Sequence, residues 1–432
     1  MHITSLKQAK VVLLFLLMAI LLAGSIVQFS PDKWSCLNCN VILISVDTLG
    51  AKHVAEETAP FLSSLARERG IVFTEAFAQS SWTLPSHAAM FTGENSAAPS
   101  VLPESAYTIA EALYDAGYQT HAISTGLFVQ PQWGFGQGFE TFDGAVGVEE
   151  DWDDLPELFE TATDWVSTRE DSRPFFLLLR PFHVHDPYDH VGAEAIAKAN
   201  EEPSEEVVAE MLSLYHKGIR EFDASFQALY EFLDEQQLLE NTIIIVTSDH
   251  GEEFGEHGSV GLHGINTYRE TIHIPLIIFH PNQKNRAHTF SVANNMIPKT
   301  IVDALGIDTS AFETPSLFRV KQHTAVLSST SVDKEGLLET YKHRDAVIRS
   351  APQEFTDLAF RIPEAQGIAT HAPAVVSGIY GKWHLIRTFD GTVQLFDMYN
   401  DPNEQHDVFQ SSESLSPSDA QSIQTLSKLL GL

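Results

Sequence analysis

Cysteine is almost missing: Cys36 and Cys39 are the two in 432 residues. That excludes a disulfide-built scaffold and a cysteine-and-histidine zinc framework, for which two ligands are too few. The Cys-x-x-Cys pair reads as a local structural clip in an oxidising compartment or as free thiols. A redox role would need a thioredoxin-like context, and the neighbouring residues do not supply one. Basic residues are also scarce. The chain has 26 Lys and Arg against 58 Asp and Glu, a formal net charge of −32. Nucleic acid is excluded as a partner, because its affinity comes from neutralising phosphates with Lys and Arg. Long polyanions across the surface are excluded for the same reason, whereas a small anionic group in a local cationic pocket is not. The acidic clusters, Glu149 to Asp154 and Glu201 to Glu206, read as solvated loops and helix faces. Internal repeats are absent, and the polar 411–418 loop is the one biased tract.

Long apolar runs are absent too, with one exception. Val11 to Phe29 carries no charge and follows Lys7 and Lys10. At helical rise it just crosses a hydrocarbon core. The basic flank keeps the N-terminus cytoplasmic and puts the body outside, in the periplasm or the extracellular space. The expectation is a membrane anchor of one N-terminal helix. The alternative is a signal segment, cleaved near Ala23-Gly24-Ser25 to give a secreted protein. Residues 1–30 are therefore an anchor or signal segment, and 31–39 a stalk that holds the cysteine pair.

Beyond the stalk, continuous apolar runs rich in β-branched residues predict buried strands at Asn40–Val46, Pro174–Leu179, Thr242–Thr247 and Pro275–Phe279. Shorter strands are expected at Ile71–Phe77 and Tyr118–Ile123. Helical patterns cover Pro60–Arg69, the run after Thr83, Tyr107–Ala116, Leu155–Val166 and about Glu205–Glu235. This alternation predicts an α/β domain over 40–315, with a mostly parallel sheet and helices on both faces. From about residue 315 the strands are shorter: Thr324–Ser328, Ala346–Arg349, Lys382–Arg387 and Val393–Met398. With a last helix over Ser422–Leu430, they predict a smaller antiparallel C-terminal subdomain over 316–432.

Chemistry-bearing residues follow the strands. Three strands end in Asp47, in His185 and in Asp249-His250, where ligands bind in open α/β sheets. A further segment carries Glu256-His257-Gly258 and Leu262-His263-Gly264. Thr83 precedes Leu84-Pro85 at the start of an apolar helical run, and proline suits a first helical position. A helix N-terminus gathers N–H groups and partial positive charge, which suits a tetrahedral anion. A plain N-cap is the competing reading of Thr83. Asp47, Asp249 and His250 offer two oxygens and one nitrogen, a set for one divalent metal ion with an open position that Thr83 fills. A histidine in the set favours zinc or manganese over calcium or magnesium. Such an ion makes a coordinated hydroxyl a usable nucleophile, with the extra histidines stabilising or protonating the transferred group.

These motifs resemble the sulfatase family of the alkaline phosphatase superfamily, over nearly all of residues 40–410. Ile44-Ser45-Val46-Asp47-Thr48-Leu49 is similar to the family's metal-binding strand end. Thr83-Leu84-Pro85-Ser86-His87 through Thr92-Gly93 resembles the nucleophile motif Cys-x-Pro-Ser-Arg followed by Thr-Gly. His185-Asp186-Pro187-Tyr188 resembles the substrate-pocket turn. Ser248 to Glu252, Gly255 to Gly258 and His263-Gly264 resemble the second metal motif and a pocket histidine. Leu395 to Met398 with Asp401 to Glu404 resembles the C-terminal signature. The resemblance implies an alkaline phosphatase/sulfatase-like fold. It also implies a metal site of Asp47, Thr83, Asp249 and His250, and catalytic groups Thr83, His87, His185 and His263.

The departures matter as much. True sulfatases convert a cysteine or serine to formylglycine, and threonine stands at position 83. His87 replaces the motif's arginine. Ser124-Thr125-Gly126 stands where a pocket lysine is expected, and Gly381-Lys382 comes too late to supply it. An unmodified threonine at a metal resembles the nucleophile of phosphoethanolamine transferases and lipoteichoic acid synthases. The expected function is thus a metal-dependent hydrolase or transferase acting on a phosphate or sulfate ester, phosphodiester favoured. The alternatives are a sulfuric ester hydrolase without formylglycine and a non-catalytic binding protein on the same fold. The implied partner is an anionic ester, a lipid head group or an envelope glycan. The Asp186 and His190 spacing raises a two-metal alternative, with His263 or His257 as the further ligand.

Overall fold

The computed structural model describes residues 33–95, 102–126, 128–144, 155–169, 172–185, 196, 198–201, 203–308, 310–332, 334, 337, 375–411 and 415–432. The strands in chain order are β1 Asn40–Val46, β2 Ile71–Phe73, β3 Ala76–Phe77, β4 Gln119–Ser124, β5 Thr141–Gly144, β6 Phe175–Arg180, β7 Thr242–Ser248 and β8 Glu253–Phe254. They continue with β9 Val260–Leu262, β10 Leu276–Phe279, β11 Arg286–His288, β12 Val292–Ala293, β13 Val326–Thr330, β14 Val375–Tyr380, β15 Trp383–Arg387 and β16 Val393–Asp397. The helices are α1 Pro60–Arg69, α2 Thr83–Thr92, α3 Ile109–Asp115, α4 Leu155–Thr168, α5 Glu205–Glu235, α6 Arg269–Ile272, α7 Ile297–Leu305 and α8 Pro417–Leu430.

Eight strands form the main sheet in the order β11-β2-β10-β7-β1-β6-β4-β5. Central β1, β6 and β7 are wholly buried, as their unbroken apolar sequences require when helices cover both faces. β10 breaks the parallel pattern by running antiparallel to β7 and to β2. The longest helix, α5, buries Met211, Tyr215, Ile219, Phe222, Phe226, Leu229 and Leu233. Their steps of three and four residues make one apolar stripe, which packs with α1, α4 and the sheet into a single core. Each fully buried Phe or Leu contributes about 1.5–3 kcal/mol. Asp223 on the same helix accepts from the backbone N–H of Phe61 and Leu62 at 2.9 and 2.8 Å, so α5 caps the orphan donors of α1.

A separate antiparallel sheet, β13-β14-β15-β16, carries the C-terminal part. Leu426 and Ile423 of α8 pack there with Trp383, Leu385 and Leu395. Several boundaries differ from expectation. Ile71–Phe77 divides into β2 and β3, because Thr74 and Glu75 form a turn. α8 starts at Pro417 rather than Ser422, since the Ser416 side chain accepts from Asp419 N–H and caps it. β14 was not anticipated, and Ala346–Arg349 lies outside the described residues. Cys36 and Cys39 form a disulfide, with Cα atoms 5.5 Å apart. Among the described residues no helix is long and apolar enough to cross a membrane. The 11–29 run lies outside them.

Candidate active site

Three neighbouring parallel strands run out at one place. Val46 pairs with Ser248 across β1 and β7, so Asp47 and Asp249 leave the sheet side by side. β6 ends on the other flank of β1, where the Asp47 N–H donates to Pro181 O at 3.1 Å. Ligand atoms of Asp47, Asp249 and His250 lie within 4.8 Å of one another, all three residues buried. Thr48 is held at φ 58°, a left-handed backbone that a β-branched residue seldom adopts. Its N–H donates to Asp249 Oδ1 at 3.2 Å. Tyr215 of α5 fixes this turn from behind, donating to Thr48 O at 2.7 Å and accepting from Gly50 N–H at 2.9 Å.

The donor set suits a divalent cation. Asp47 Oδ1 and Asp249 Oδ2 are buried and accept no hydrogen bond. His250 Nδ1 donates to Gly251 O at 3.0 Å, which leaves Nε2 with its lone pair toward the carboxylates, 3.5 Å from Asp249 Oδ2 and 3.8 Å from Asp47 Oδ1. Burial pushes the His250 ring down to about 3, so it stays neutral. Burial disfavours charge on Asp249, but the Arg180 guanidinium and the Thr48 N–H work against it and hold that carboxyl below the usual range. Two bare anionic oxygens beside a neutral imidazole fit a metal with mixed oxygen and nitrogen preference.

Thr83 opens α2. Its Oγ1 lies 3.2 Å from His250 Nε2, and the cap position belongs to Trp82, which makes no side-chain cap bond. The N-cap reading of Thr83 is therefore wrong. Pro85 sits at the third helical position, not the first; the first four N–H groups lack helical partners, so proline costs nothing there either. Ser86 ties the helix to β7, donating to Asp249 O at 2.5 Å and accepting from Asn294 Nδ2 at 2.9 Å.

The other expected residues separate into two groups. His87 is fully buried behind Thr83. Its Nδ1 is 3.0 Å from Thr83 O, and Nε2 is 3.0 Å from Ser45 Oγ. Burial lowers its pKa; neutral, it donates through Nδ1 and accepts through Nε2, so both nitrogens are occupied. His263 stacks on His250 at 4.3 Å and meets His185 edge-on at 5.1 Å. Its Nδ1 is 3.0 Å from Glu252 Oε2, which aims Nε2 elsewhere. His257 is not at the cluster: it bonds Glu270 at 2.6 Å and Glu404 O at 3.1 Å, which removes it as a metal ligand. Asp186 and His190 lie outside the described residues.

Sequence reasoning missed Arg180. Fully buried at the end of β6, it pairs with Asp47 and donates to Thr125 O, with its guanidinium over Phe182 at 5.4 Å. Burial lowers its pKa to about 10, which leaves it cationic. Thr125 belongs to the segment where a pocket lysine was sought, so a cation reaches this place from the neighbouring strand. The one trace in the sequence is the arginine itself, closing the apolar run Phe175 to Leu179, where a buried cation needs an anionic partner that the sequence does not name. Glu252, as the partner that orients His263, was also missed.

With the geometry in hand, comparison with known proteins decides the family. Residues 39–307, more than half of the chain, match the Sulfatase family model. The chain belongs to the sulfatase family. A stretch of 106 residues is 35% identical to the multifunctional alkaline phosphatase superfamily protein PehA of Trinickia caryophylli, covering 24% of this chain and 20% of that protein. Mouse (Mus musculus) arylsulfatase K is 28% identical over 235 residues, 54% of this chain and 37% of its own length. The match thus spans well under half of either relative. The crystal structure of a phosphonate monoester hydrolase of Agrobacterium radiobacter superposes with a TM-score of 0.67 over 91% of this chain and 95% of that one, at 16% identity. The sulfatase fold accordingly extends through the antiparallel C-terminal sheet.

Proposed function

We propose that this sulfatase-family chain is a metal-dependent ester hydrolase or transferase in which Thr83 is the nucleophile, with phosphate diesters preferred. The observation that carries the reading is the Thr83 hydroxyl, 3.2 Å from His250 Nε2 at a helix N-terminus and not used as a cap. Asp47, Asp249, His250 and Thr83 would hold one ion, zinc or manganese by donor type. When bound, it lowers the pKa of the threonine hydroxyl and stabilises anionic oxygens. Thr83 Oγ1, its proton released to solvent, forms the new ester bond to phosphorus as the bond to the leaving alcohol breaks, and the N-terminal N–H groups of α2 face the transferred anion. His263, oriented by Glu252, hands a proton to the departing oxygen, with His185 beside it. Water or a second alcohol then displaces Thr83 and restores its hydroxyl. His87 is a positioning residue, holding the Thr83 carbonyl from inside.

Arg180 supplies a fixed cation in place of the missing lysine. The preference for phosphorus rests on position 83, since threonine is not the precursor of formylglycine. The family match favours a sulfate ester as the second reading. The N-terminal apolar run and the Cys36–Cys39 disulfide support a body held outside the cytoplasm, where lipid head groups and envelope glycans are within reach. The test loads the protein with manganese or zinc and compares chromogenic sulfate, phosphate monoester and phosphate diester. Diester turnover that Thr83→Ala abolishes is the expected result. Turnover of sulfate alone would move the chain to the second reading, and turnover that survives Thr83→Ala would remove the threonine mechanism.

A further inference from the structure

His263 owes its place to a very small piece of sheet. β8 and β9 hold two and three residues and pair only with each other, and a two-stranded ribbon on its own is marginal in water. The register puts Glu253 opposite Leu262, with an irregularity before Phe254 meets Val260. One step outward, Glu252 stands opposite His263, where Oε2 and Nδ1 lie 3.0 Å apart. The two behave as a cross-strand pair. A slip of one residue would set Glu252 against Leu262 or Gly264 instead.

Glu253 holds that register. It is fully buried and, next along the strand, points to the face opposite Glu252. Its Oε1 accepts from the backbone N–H of His257 at 2.9 Å and of Ser259 at 2.6 Å, which closes the tip of the hairpin. Its Oε2 accepts from Asn266 Nδ2 at 2.8 Å, in the chain that leaves His263. One carboxylate thus ties the tip between the strands to the exit from them. Asn266 extends the hold to the nucleophile turn. Its carbonyl accepts from Ser81 Oγ at 2.5 Å, just ahead of Thr83. Its Oδ1 accepts from Tyr268 N–H at 3.2 Å and Thr271 Oγ1 at 3.1 Å. Glu253 stands outside the cluster of Asp47, Asp249 and His250.

We propose that Glu253 is a positioning residue for the ester reaction: with Asn266 it fixes the β8–β9 register, and through it the aim of His263. This role depends on His263 being the proton donor of the proposed reaction. All three partners of the Glu253 carboxylate donate, so Glu253→Gln turns a donor on one of them. Combining it with Asn266→Asp sets a donor against an acceptor again and leaves the total charge unchanged.

The test compares two phosphate diesters that differ in the leaving group alone, methyl nitrophenyl phosphate and methyl phenyl phosphate, on the manganese-loaded full chain. The matching aryl sulfates serve if the parent takes sulfate. The poorer leaving group needs the proton more. His263→Ala and Glu253→Gln should each lose about tenfold more kcat on the phenyl ester than on the nitrophenyl ester, with KM and manganese affinity close to the parent's. The losses should not add when the two are combined, and Glu253→Gln with Asn266→Asp should recover most of the turnover. Asn266→Ala breaks the same bond from its other end and replaces Glu253→Gln if that variant does not fold. An equal loss on both esters in Glu253→Gln, while His263→Ala distinguishes them, would overturn the positioning role and leave the proton donor standing. So would additive losses in the combined variant, or no recovery in the exchanged one. If His263→Ala treats both esters alike, the proton donor itself falls, and the positioning role with it.

Discussion

Replacing Arg180 by methionine removes the charge that faces Asp47 while keeping most of the volume. Both partners are fully buried. The variant also loses the donor to Thr125 O and the cation over the Phe182 ring. Removing one member of a buried pair leaves the other charge uncompensated, at a cost of about 3–5 kcal/mol. The metal-free variant should therefore unfold several degrees below the parent. A divalent ion then takes over the neutralisation of Asp47, with no guanidinium to compete. At an ion concentration about a hundred times its dissociation constant, binding returns about 2.7 kcal/mol. The assay is a thermal melt of chelator-treated protein, with and without manganese. The rise in midpoint on adding manganese should be larger in Arg180→Met than in the parent. Equal midpoints without metal, or an equal rise with it, would refute the reasoning.

Glu252→Gln should lower ester turnover about 10–100-fold, with little change in metal affinity, because it releases His263 (3.0 Å away) and not the ion; metal titration beside kinetics checks both. Gly126→Ala should destabilise the fold by a few kcal/mol, since a Cβ there meets Arg180 Nη1 at 2.5 Å and the Phe182 ring at 2.7 Å, at φ +79°; chemical denaturation measures it. His257 gives a pH dependence. Burial works to lower its pKa, but Glu270 and the Glu404 carbonyl raise it to about 9. A folded-state value above the unfolded 6.5 adds stability that is fully present below pH 6.5 and is lost as pH rises through about 9. The loss is at most about 3 kcal/mol, and denaturation from pH 6 to 10 should show it in the parent and not in His257→Gln.

How much of this was legible depends on where each residue's partners come from. The buried strands were readable because Asn40–Val46 and Thr242–Ser248 must be apolar on both faces. The cluster of Asp47, Asp249 and His250 was readable because Asp47 and Asp249-His250 follow two such strands. Arg180 was not, because its meaning depends on Asp47, a neighbour through strand order alone. β14 was not, since Val375-Val376-Ser377-Gly378-Ile379-Tyr380 puts Ser and Gly in its interior, against ordinary strand preference. Gly378 is there because a Cβ would press on Leu426 of α8 at 3.0 Å, a contact no local pattern shows. His87 looked catalytic from its place in the nucleophile motif. Only the i to i−4 geometry on α2 reveals that its ring turns inward, to the Thr83 carbonyl and Ser45.

The most direct test is to trap the threonine. Metal-loaded protein is mixed with a phosphate diester, quenched in acid and digested, and the peptide that contains Thr83 is weighed by mass spectrometry. The account predicts a covalent phosphoryl adduct on Thr83, formed within one turnover and absent from Thr83→Ala, which turns over nothing. Diester turnover at the parental rate by Thr83→Ala would contradict it.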